Sequence, residues 1–275
     1  MFKLSYWVQE NMLTDELSYN PRAIQYLEKH PHKICWLYLQ ENPEAIGLIE
    51  KNPVKCWDWL SCNPAATHLL KPDRTNWTLL SMNPSAIHLL KTKPDKICWL
   101  YLSANPGAID LLKQYPDKID WRQLSSNPAA IEMLEENPEN IVWFSLCSNP
   151  DAIHLIEANM EKVDWYYLSG NPAAIHILKA NQDKIDWPSL STNPAAVELL
   201  EANQDKIDWY WLSGNPGAIE LLKANPEKID WNHLSKNPGI FEYDYDAMKR
   251  PFTEDLMANR FHPCNFDKFE LWGFE

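Results

Sequence analysis

Tryptophan and the pair Asn-Pro recur in step along this chain of 275 residues. The recurring tryptophans are residues 36, 57, 77, 99, 121, 143, 165, 187, 209 and 231, at intervals of 22 residues from Trp77 onward. The Asn-Pro pairs begin at residues 20, 42, 63, 83, 105, 127, 149, 171, 193, 215 and 237. Self-similarity at a fixed period of about 20–50 residues is typical of repeat architectures. The chain is therefore predicted to be a tandem array of ten to eleven units.

Each Asn-Pro pair is predicted to start a helix. The Asn side chain can cap the helix, and the Pro fits the first helical position, where its missing N–H costs nothing. In the unit that begins at Asn215, the residues Ala218, Ile219 and Leu222 lie three and four apart and share one buried face. Asn225 and the Pro after it should stop the helix after about nine residues, with Asn225 in the left-handed conformation.

A shorter helix is predicted upstream of each Asn-Pro pair. Asp208 is a good N-cap, and Trp209 and Leu212 lie three residues apart on one face. This helix would have about one to one and a half turns of α- or 3-10-helical form. An alternative is a longer helix that Asn203 opens and that runs to Ser213, and spacing alone does not decide between the two.

Helices this short are marginal in water, so the stability of the array must come from stacking of neighbouring units. The Trp column, with the Leu three residues after each Trp, predicts a continuous apolar spine. With helices packed roughly 8–10 Å apart, ten units give a contour of about 80–100 Å before curvature. The predicted fold class is all-α, as an elongated and curved α-solenoid.

Both ends of the array depart from the repeat. Thr14 stands where later units carry Trp, and residues 1–13 are predicted to be an N-terminal cap over an exposed edge. Residues 14–238 are the predicted tandem-repeat solenoid. The pattern fails after Pro238, and residues 239–275, which are rich in aromatic side chains, are predicted to be a C-terminal helical cap.

The net charge of −13 restricts the partners of the chain. The acidic residues are spread along it and would repel the phosphate backbone of a nucleic acid, so direct nucleic-acid binding is not expected. No apolar run is long enough to span a membrane, and residues 1–10 lack the apolar stretch of a signal peptide. The six cysteines include no C-x-x-C pair and are interpreted as reduced thiols, which predicts an intracellular, reducing location.

The repeat resembles a known group of proteins. With residues 185–196 (IDWPSLSTNPAA) as an example of the unit, the array resembles the Asn-Pro-rich short-repeat proteins of giant double-stranded DNA viruses that infect protists. Residues 255–263 (DLMANRFHP) and 271–274 (LWGF) are similar to a short terminal motif in proteins of those viruses. The resemblance covers residues 14–275. It implies a viral protein of the host cytoplasm or the virion, and no catalytic residues. In layout alone, the array also looks like the leucine-rich-variant solenoids.

Recognition in a repeat array is usually carried by exposed positions that vary between units. The two residues after each Trp vary most, and many are aromatic, a type enriched at binding hot spots. The candidate partner-binding residues are Tyr38, Trp59, Tyr101, Phe144, Tyr166, Tyr167, Tyr210 and Trp211. An alternative interpretation places these side chains in the grooves between units as secondary core.

No catalytic, cofactor or metal site is predicted. The nucleotide-binding, phosphate-binding, zinc-protease and serine-hydrolase motifs do not occur. Cys62 and Cys147 stand at positions that are small or variable in other units, which favours packing. The histidines at one slot of the Asn-Pro helix should be one helix spacing apart, too far to share a metal ion, and are interpreted as surface residues. They are His68, His88, His154 and His176.

Acidic-Lys pairs also recur and are interpreted as a solvated, charged surface. They stand at residues 95–96, 117–118, 161–162, 183–184, 205–206 and 227–228.

Three functions follow as hypotheses. The first is a non-catalytic protein-interaction or structural scaffold with a protein partner. The second is an acidic mimic of a polyanion that occupies a basic, nucleic-acid-binding protein. The third is an enzyme with a site in residues 239–275.

Overall fold

The computed structural model describes residues 1–52, 58–71 and 73–249. Helices dominate it, in regular units of about 22 residues that correspond to the eleven Asn-Pro pairs of the sequence. Units are numbered 1 to 11 by these pairs, from Asn20 to Asn237. Trp57, Cys56 and the tail motifs at 255–263 and 271–274 lie outside the described residues.

The first element of each unit is the Trp helix, a short helix that begins at or beside the recurring tryptophan. In units 1 and 3 it is a 3-10 helix, at Asp15–Tyr19 and Trp59–Cys62. The α-helical Trp helices are Trp36–Leu39, Trp77–Leu80, Trp99–Ser103, Trp121–Ser125, Trp143–Leu146, Trp165–Ser169, Trp187–Thr192, Trp209–Leu212 and Trp231–Lys236.

The second element is the Asn-Pro helix, which opens with a 3-10 turn and continues as an α-helix. The 3-10 parts are Pro21–Ala23, Pro43–Ala45, Pro64–Leu69, Pro84–Ala86, Pro106–Ala108, Pro128–Ala130, Pro150–Ala152, Pro172–Ala174, Pro216–Ala218 and Pro238–Ile240. The α-helical parts are Ile24–Lys29, Ile46–Lys51, Ile87–Leu90, Ile109–Gln114, Ile131–Glu136, Ile153–Glu157, Ile175–Ala180, Val197–Ala202 and Ile219–Ala224. The stretch from Pro216 to Ala224 matches the predicted length of nine residues.

A third element was missed by the sequence reasoning. Most units end in a separate 3-10 turn, and an extended residue then leads to the next Trp helix. These turns are Pro31–Lys33, Pro94–Lys96, Pro116–Lys118, Pro138–Asn140, Met160–Lys162, Gln182–Lys184, Gln204–Lys206 and Pro226–Lys228. A further 3-10 helix, Glu10–Met12, precedes unit 1.

The predicted N-caps form at Asn215 and Asp208, and two other expectations are corrected. The Asn215 side chain accepts a hydrogen bond from the backbone N–H of Gly217, and Asp208 caps the Trp helix at Trp209–Leu212. The alternative of one long helix from Asn203 is wrong, because Ile207 is extended between the 3-10 turn and this helix. Asn225 has φ −134°, so its predicted left-handed conformation is also wrong. Its side chain instead donates to the carbonyl oxygen of Leu221 at 3.0 Å, which ends the helix.

The core is a column of aliphatic side chains. The Leu near the end of each Trp helix is fully buried in every unit, and so are nearly all the Ala residues that end the 3-10 turns. The recurring tryptophans that the structure describes are only half-buried and pack against this core from its edge. Leucine and alanine therefore carry the spine, which the sequence reasoning assigned to tryptophan and leucine together.

The Asn of each Asn-Pro pair also links its unit to the preceding one. In unit 2, the side-chain amide of Asn42 donates to the carbonyl oxygens of Ser18 and Asn20, at 3.0 and 3.1 Å. The same pair of bonds recurs in unit 11, where Asn237 donates to Ser213 and Asn215, both at 3.0 Å. These Asn side chains are buried, and their hydrogen bonds pair the side-chain amide with backbone carbonyl oxygens. Leaving these buried polar groups unpaired would cost free energy.

A buried serine makes a second connection between units. Ser213 donates its hydroxyl hydrogen to the carbonyl oxygen of Trp209 at 2.7 Å and accepts the backbone N–H of Asp230 at 2.9 Å. Gln40 and Cys147 take this position in units 2 and 7. The N–H of Asp164 lies 3.4 Å from the Cys147 sulfur, so the thiol accepts the same contact.

The array closes on itself, because unit 1 stacks on unit 11. The side-chain amide of Asn20 donates to the carbonyl oxygens of Ser235 and Asn237, at 3.1 and 2.9 Å. The N–H of Thr14 donates to the Ser235 hydroxyl at 3.1 Å, and Lys236 pairs with Glu16 at 2.8 Å. The junction of units 11 and 1 is called the seam below. A rotation that closes over eleven units amounts to about 33° per unit.

The segments on either side of the array also meet at the seam. Phe2–Leu4 and Phe241–Tyr243 form a two-stranded antiparallel sheet in which Lys3 is opposite Glu242. The prediction of an elongated array with a separate cap at each end is therefore wrong in its shape, because the two ends cover each other. Of the predicted C-terminal cap at 239–275, residues 250–275 lie outside the described part of the chain, and the division into caps and array stays a prediction.

Candidate protein-interaction surface

The variable positions of the Trp helices carry the exposed aromatic side chains. Tyr166 is 58% exposed, Tyr210 51%, Trp211 44%, Trp59 40% and Tyr167 37%. These fractions are large for side chains that a folded chain normally hides, so these five residues are available to a partner.

The other three candidates are half-buried and fit the groove alternative better. Tyr38 stacks on Tyr19 of the preceding unit with ring centroids 4.6 Å apart. Phe144 lies under the Arg122 guanidinium, 5.1 Å from its ring centre, and against Tyr167 at 5.6 Å. Tyr101 is half-buried as well.

Aromatic contacts join the exposed side chains into two clusters. In unit 8, the rings of Tyr166 and Tyr167 meet edge to face, 5.1 Å apart. In units 10 and 11, the Tyr210 ring packs against Trp211 and His233, with ring centroids 5.1 and 4.1 Å apart. Tyr166 on Tyr167 and Tyr210 on Trp211 adopt the edge-to-face geometry that aromatic pairs prefer, and His233 meets Tyr210 at a tilt. Two aromatic walls result.

Shared helix caps hold these walls in place. The Asp164 carboxylate accepts the backbone N–H groups of Tyr166 and Tyr167, at 3.1 and 3.4 Å. Asp208 does the same in unit 10, where it accepts from Tyr210 and Trp211. The first turn of each helix, which carries the aromatic pair, is thereby anchored at its start.

Unit 9 lies between the two walls and carries small residues. Pro188 and Ser189 occupy the slots that hold Tyr166 and Tyr167 in unit 8 and Tyr210 and Trp211 in unit 10. A cleft of about 350 Å³ opens there. Its lining residues are Ser148, Tyr166, Tyr167, Gly170, Pro188, Ser189, Thr192 and Trp211. This set is called the aromatic cleft, and none of its side chains carries a charge at neutral pH.

The polar groups of the aromatic cleft are of two kinds. The hydroxyls of Ser148 and Thr192 donate to the carbonyl oxygens of Ser145 and Ser189, at 2.7 and 2.8 Å. Their hydrogens are therefore already used within the protein. Tyr166, Tyr167 and Trp211 are exposed, and each carries an O–H or N–H donor. The donors available to a ligand thus lie on the aromatic walls and at the Ser189 hydroxyl of unit 9.

His233 supports the wall of unit 10 from the next unit. Its Nδ1 lies 2.9 Å from the Asp230 carboxylate, which also accepts the His233 backbone N–H. Burial opposes ionisation of Asp230, but the hydrogen bonds from His233 outweigh it and the pKa of Asp230 lies below its ordinary value of 3.8. The imidazole is therefore held in one place beside Tyr210.

The lysines of the acidic-Lys pairs have a role that sequence reasoning missed. Most of them lie over the tryptophan that begins their own unit, and Lys228 is 4.3 Å from the centre of the Trp209 ring. The other pairs are Lys96 over Trp77, Lys162 over Trp143, Lys184 over Trp165 and Lys206 over Trp187. Over Trp99 this place is taken by the Tyr115 ring, and the two ring centroids are 5.0 Å apart. A constant offset of 19 residues was the signal in the sequence.

Three of the four repeated histidines pair with glutamates of the preceding unit. His68 meets Glu50 at 3.0 Å, and His154 meets Glu135 at 2.9 Å. His176 makes the same contact with Glu157. All these side chains are about half exposed, so each pair contributes little to stability. Within the described residues, no group of three or more potential metal ligands comes together.

The described cysteines are free thiols, at Cys35, Cys62, Cys98 and Cys147. Burial raises the pKa of Cys62 to about 11 and also raises the pKa of Cys147. Because the thiolate is the nucleophile, these shifts disfavour covalent chemistry at either residue.

A second cavity, of about 620 Å³, lies beside the seam. Met1, Phe2, Tyr26, His30 and Asp244 are among its lining residues. Burial raises the pKa of Tyr26, and its hydroxyl also donates to the Glu10 carboxylate. Tyr26 therefore stays protonated and serves as a structural link between Glu10 and unit 1.

No family model, curated protein or solved structure matches the chain. Among the described residues, no helix is both long and apolar enough to cross a membrane.

Proposed function

We propose that the protein is a non-catalytic binding scaffold, a closed form of the predicted solenoid, whose main contact surface is the aromatic cleft with its two walls. The observation that carries the proposal is the exposure of Tyr166, Tyr167 and Trp211 around one uncharged cleft, with exposed Tyr210 packed against Trp211. A large aromatic surface costs free energy in water, and such surfaces mark interaction sites when they form a patch. Rigid aromatic side chains also bind with a small loss of conformational entropy.

The rest of the unit supports this role. The repeated Asn, Ser, Leu and Ala positions are used for stacking, as their burial and hydrogen bonds indicate. Positions two and three of the Trp helix can therefore vary without loss of the fold. A scaffold of this kind separates the residues that hold the structure from those that bind.

The test is selection of peptides from a random displayed library on the wild-type protein. The selected peptides are then measured on a variant with Tyr166, Tyr167, Tyr210 and Trp211 all replaced by Ala. We expect binding to be lost while the helical circular dichroism stays unchanged. Trp59→Ala is the matched control. Trp59 occupies in unit 3 the position that Trp211 occupies in unit 10, and it does not line the cleft. Equal binding to the quadruple variant would refute the proposal.

A second candidate is the acidic mimic, which the net charge of −13 favours. Its partner would be a basic, nucleic-acid-binding protein, and the interaction would weaken steeply as salt screens the charges. Binding of a basic partner at 50 mM and 500 mM salt separates the two functions. An interaction that depends on the aromatic side chains and not on salt would exclude the mimic.

The cellular setting is a further proposal, which rests on the resemblance of the repeat alone. On that ground the scaffold would act in the host cytoplasm or in the virion of a giant virus. Detection of the protein in purified virions by mass spectrometry tests the second location.

A further inference from the structure

The aromatic cleft has a shape that follows from the repeat. Its two walls stand on units 8 and 10, and unit 9 forms the floor with Pro188 and Ser189. Units packed roughly 8–10 Å apart place the walls about 16–20 Å from each other along the array. A ligand that touches both walls must therefore be extended and must cross the floor without a bulky charged group.

The hydrogen-bonding groups of the cleft select the ligand further. The hydroxyls of Ser148 in unit 7 and Thr192 in unit 9 donate their hydrogens to backbone carbonyls, whereas the Ser189 hydroxyl of the floor is a further donor. The walls offer the O–H groups of Tyr166 and Tyr167 and the indole N–H of Trp211. The cleft thus offers hydroxyl and indole donors and no charge, which complements a neutral chain that presents carbonyl acceptors.

We propose that the aromatic cleft binds an uncharged, proline-rich segment of a partner protein in the polyproline II conformation. This inference rests on the proposed function and names the chemistry of the partner. A proline has no N–H, and its segment exposes carbonyl oxygens on a stiff backbone that loses little entropy on binding. At 3.1 Å per residue, about six residues of such a helix span the two walls.

Other kinds of peptide fit the cleft less well. An amphipathic helix needs a long apolar groove for anchors on successive turns, and the floor here is a single unit. An added β-strand needs an open sheet edge, and within the described ranges the sheet lies at the seam. A phosphorylated or acidic motif needs cationic side chains, which the lining does not contain.

The experiment measures fluorescence anisotropy of a labelled peptide of ten prolines, with a Gly-Ser peptide of equal length and charge as the reference. We expect the proline peptide to bind the wild-type protein at least tenfold more tightly than the reference. Trp211→Ala should weaken binding at least tenfold. The matched control Trp59→Ala should change it less than twofold.

A second variant fills the cleft without removing any wall. Pro188→Tyr places in unit 9 the residue that units 8 and 10 already carry at that slot, so the fold should tolerate it. We expect it to abolish binding of the proline peptide while the thermal midpoint changes little. If this variant fails to fold, the anisotropy measurement on Trp211→Ala alone tests the proposal.

The inference is overturned if the proline peptide binds no better than the Gly-Ser peptide, or binds wild type and Trp211→Ala equally. Its failure can be told apart from failure of the proposed function. If library-selected peptides without proline bind through the four aromatic residues, only the ligand chemistry is wrong. If no peptide depends on those residues, both proposals fall.

Discussion

The side-chain amide of Asn20 donates a hydrogen bond of 2.9 Å to the carbonyl oxygen of Asn237. These residues begin the first and last Asn-Pro helices and are 217 positions apart in the sequence. The same bond joins Asn42 to Asn20 at 3.1 Å and Asn237 to Asn215 at 3.0 Å, so the seam repeats a contact that recurs between most successive units. A closed array leaves no terminal unit with an uncovered apolar edge, which is the usual weakness of repeat proteins.

Closure predicts a compact particle in solution. Small-angle X-ray scattering should give a radius of gyration of about 20 Å, close to that of a compact chain of this length. An open array of about 80–100 Å would give a value above about 25 Å. The larger value, at protein concentrations where the chain is monomeric, would contradict closure.

The ion pair across the seam should couple units 1 and 11. Lys236→Glu places a like charge beside Glu16 and should lower the free energy of unfolding by about 0.5–1 kcal/mol, a modest cost because the Lys236 side chain is 43% exposed. Adding Glu16→Lys restores opposite charges and should recover most of the loss. Urea unfolding of wild type, Lys236→Glu, Glu16→Lys and the double variant measures the coupling, and strictly additive effects would argue against contact at the seam.

The Asn of the Asn-Pro pair should contribute more to stability than the Asn that ends the Asn-Pro helix. Asn171→Ala removes a cap and leaves the carbonyl oxygens of Cys147 and Asn149 without their donor, at a cost of about 3 kcal/mol. Asn181→Ala is the control, because Asn181 is half-buried and bonds only to the nearby Ile177 carbonyl. Thermal unfolding of both variants tests this, and equal losses would contradict the inter-unit role.

The lysines that lie over tryptophans should stabilise the stack weakly. Lys228→Met keeps the apolar stem but removes the charge over Trp209, and should cost about 0.5–1 kcal/mol. Lys118→Met is the comparison, because Tyr115 occupies that place over Trp99 and little change is expected. Chemical denaturation followed by circular dichroism measures both. A larger loss of stability at Lys118 than at Lys228 would show that the lysine charge acts on the overall surface charge and not on the tryptophan beneath it.

Stability should fall in acid partly through Asp230. Its pKa is lower in the folded protein than the ordinary 3.8, so ionisation stabilises the fold above pH 3.8. That contribution is lost as pH falls through the folded-state pKa. Asp230→Asn keeps a capping side chain but does not titrate. The advantage of wild type over this variant in urea midpoint should therefore shrink between pH 5 and pH 2.5, and a constant difference would disprove the linkage.

Local structure was largely predictable from the residues. The Asn-Pro helix, its length and the Asp cap of the Trp helix follow from hydrogen-bonding groups within a few residues of one another, as at Asn215 and Asp208. The 3-10 turn at Gln204–Lys206 was missed because short 3-10 turns carry no apolar periodicity. Variation between units located the candidate aromatic residues. It could not distinguish an exposed residue such as Tyr166 from a half-buried one such as Tyr101.

The sequence by itself determined the unit, its register and the residues that stack, because a repeated pattern of caps and apolar positions has one local solution. Only the tertiary structure decided that the array closes and that unit 9 opens a cleft between two aromatic walls. The physical reason is that closure depends on a small rotation added over eleven units. No single residue encodes that rotation, and the bond between Asn20 and Asn237 forms only when the sum is a full turn.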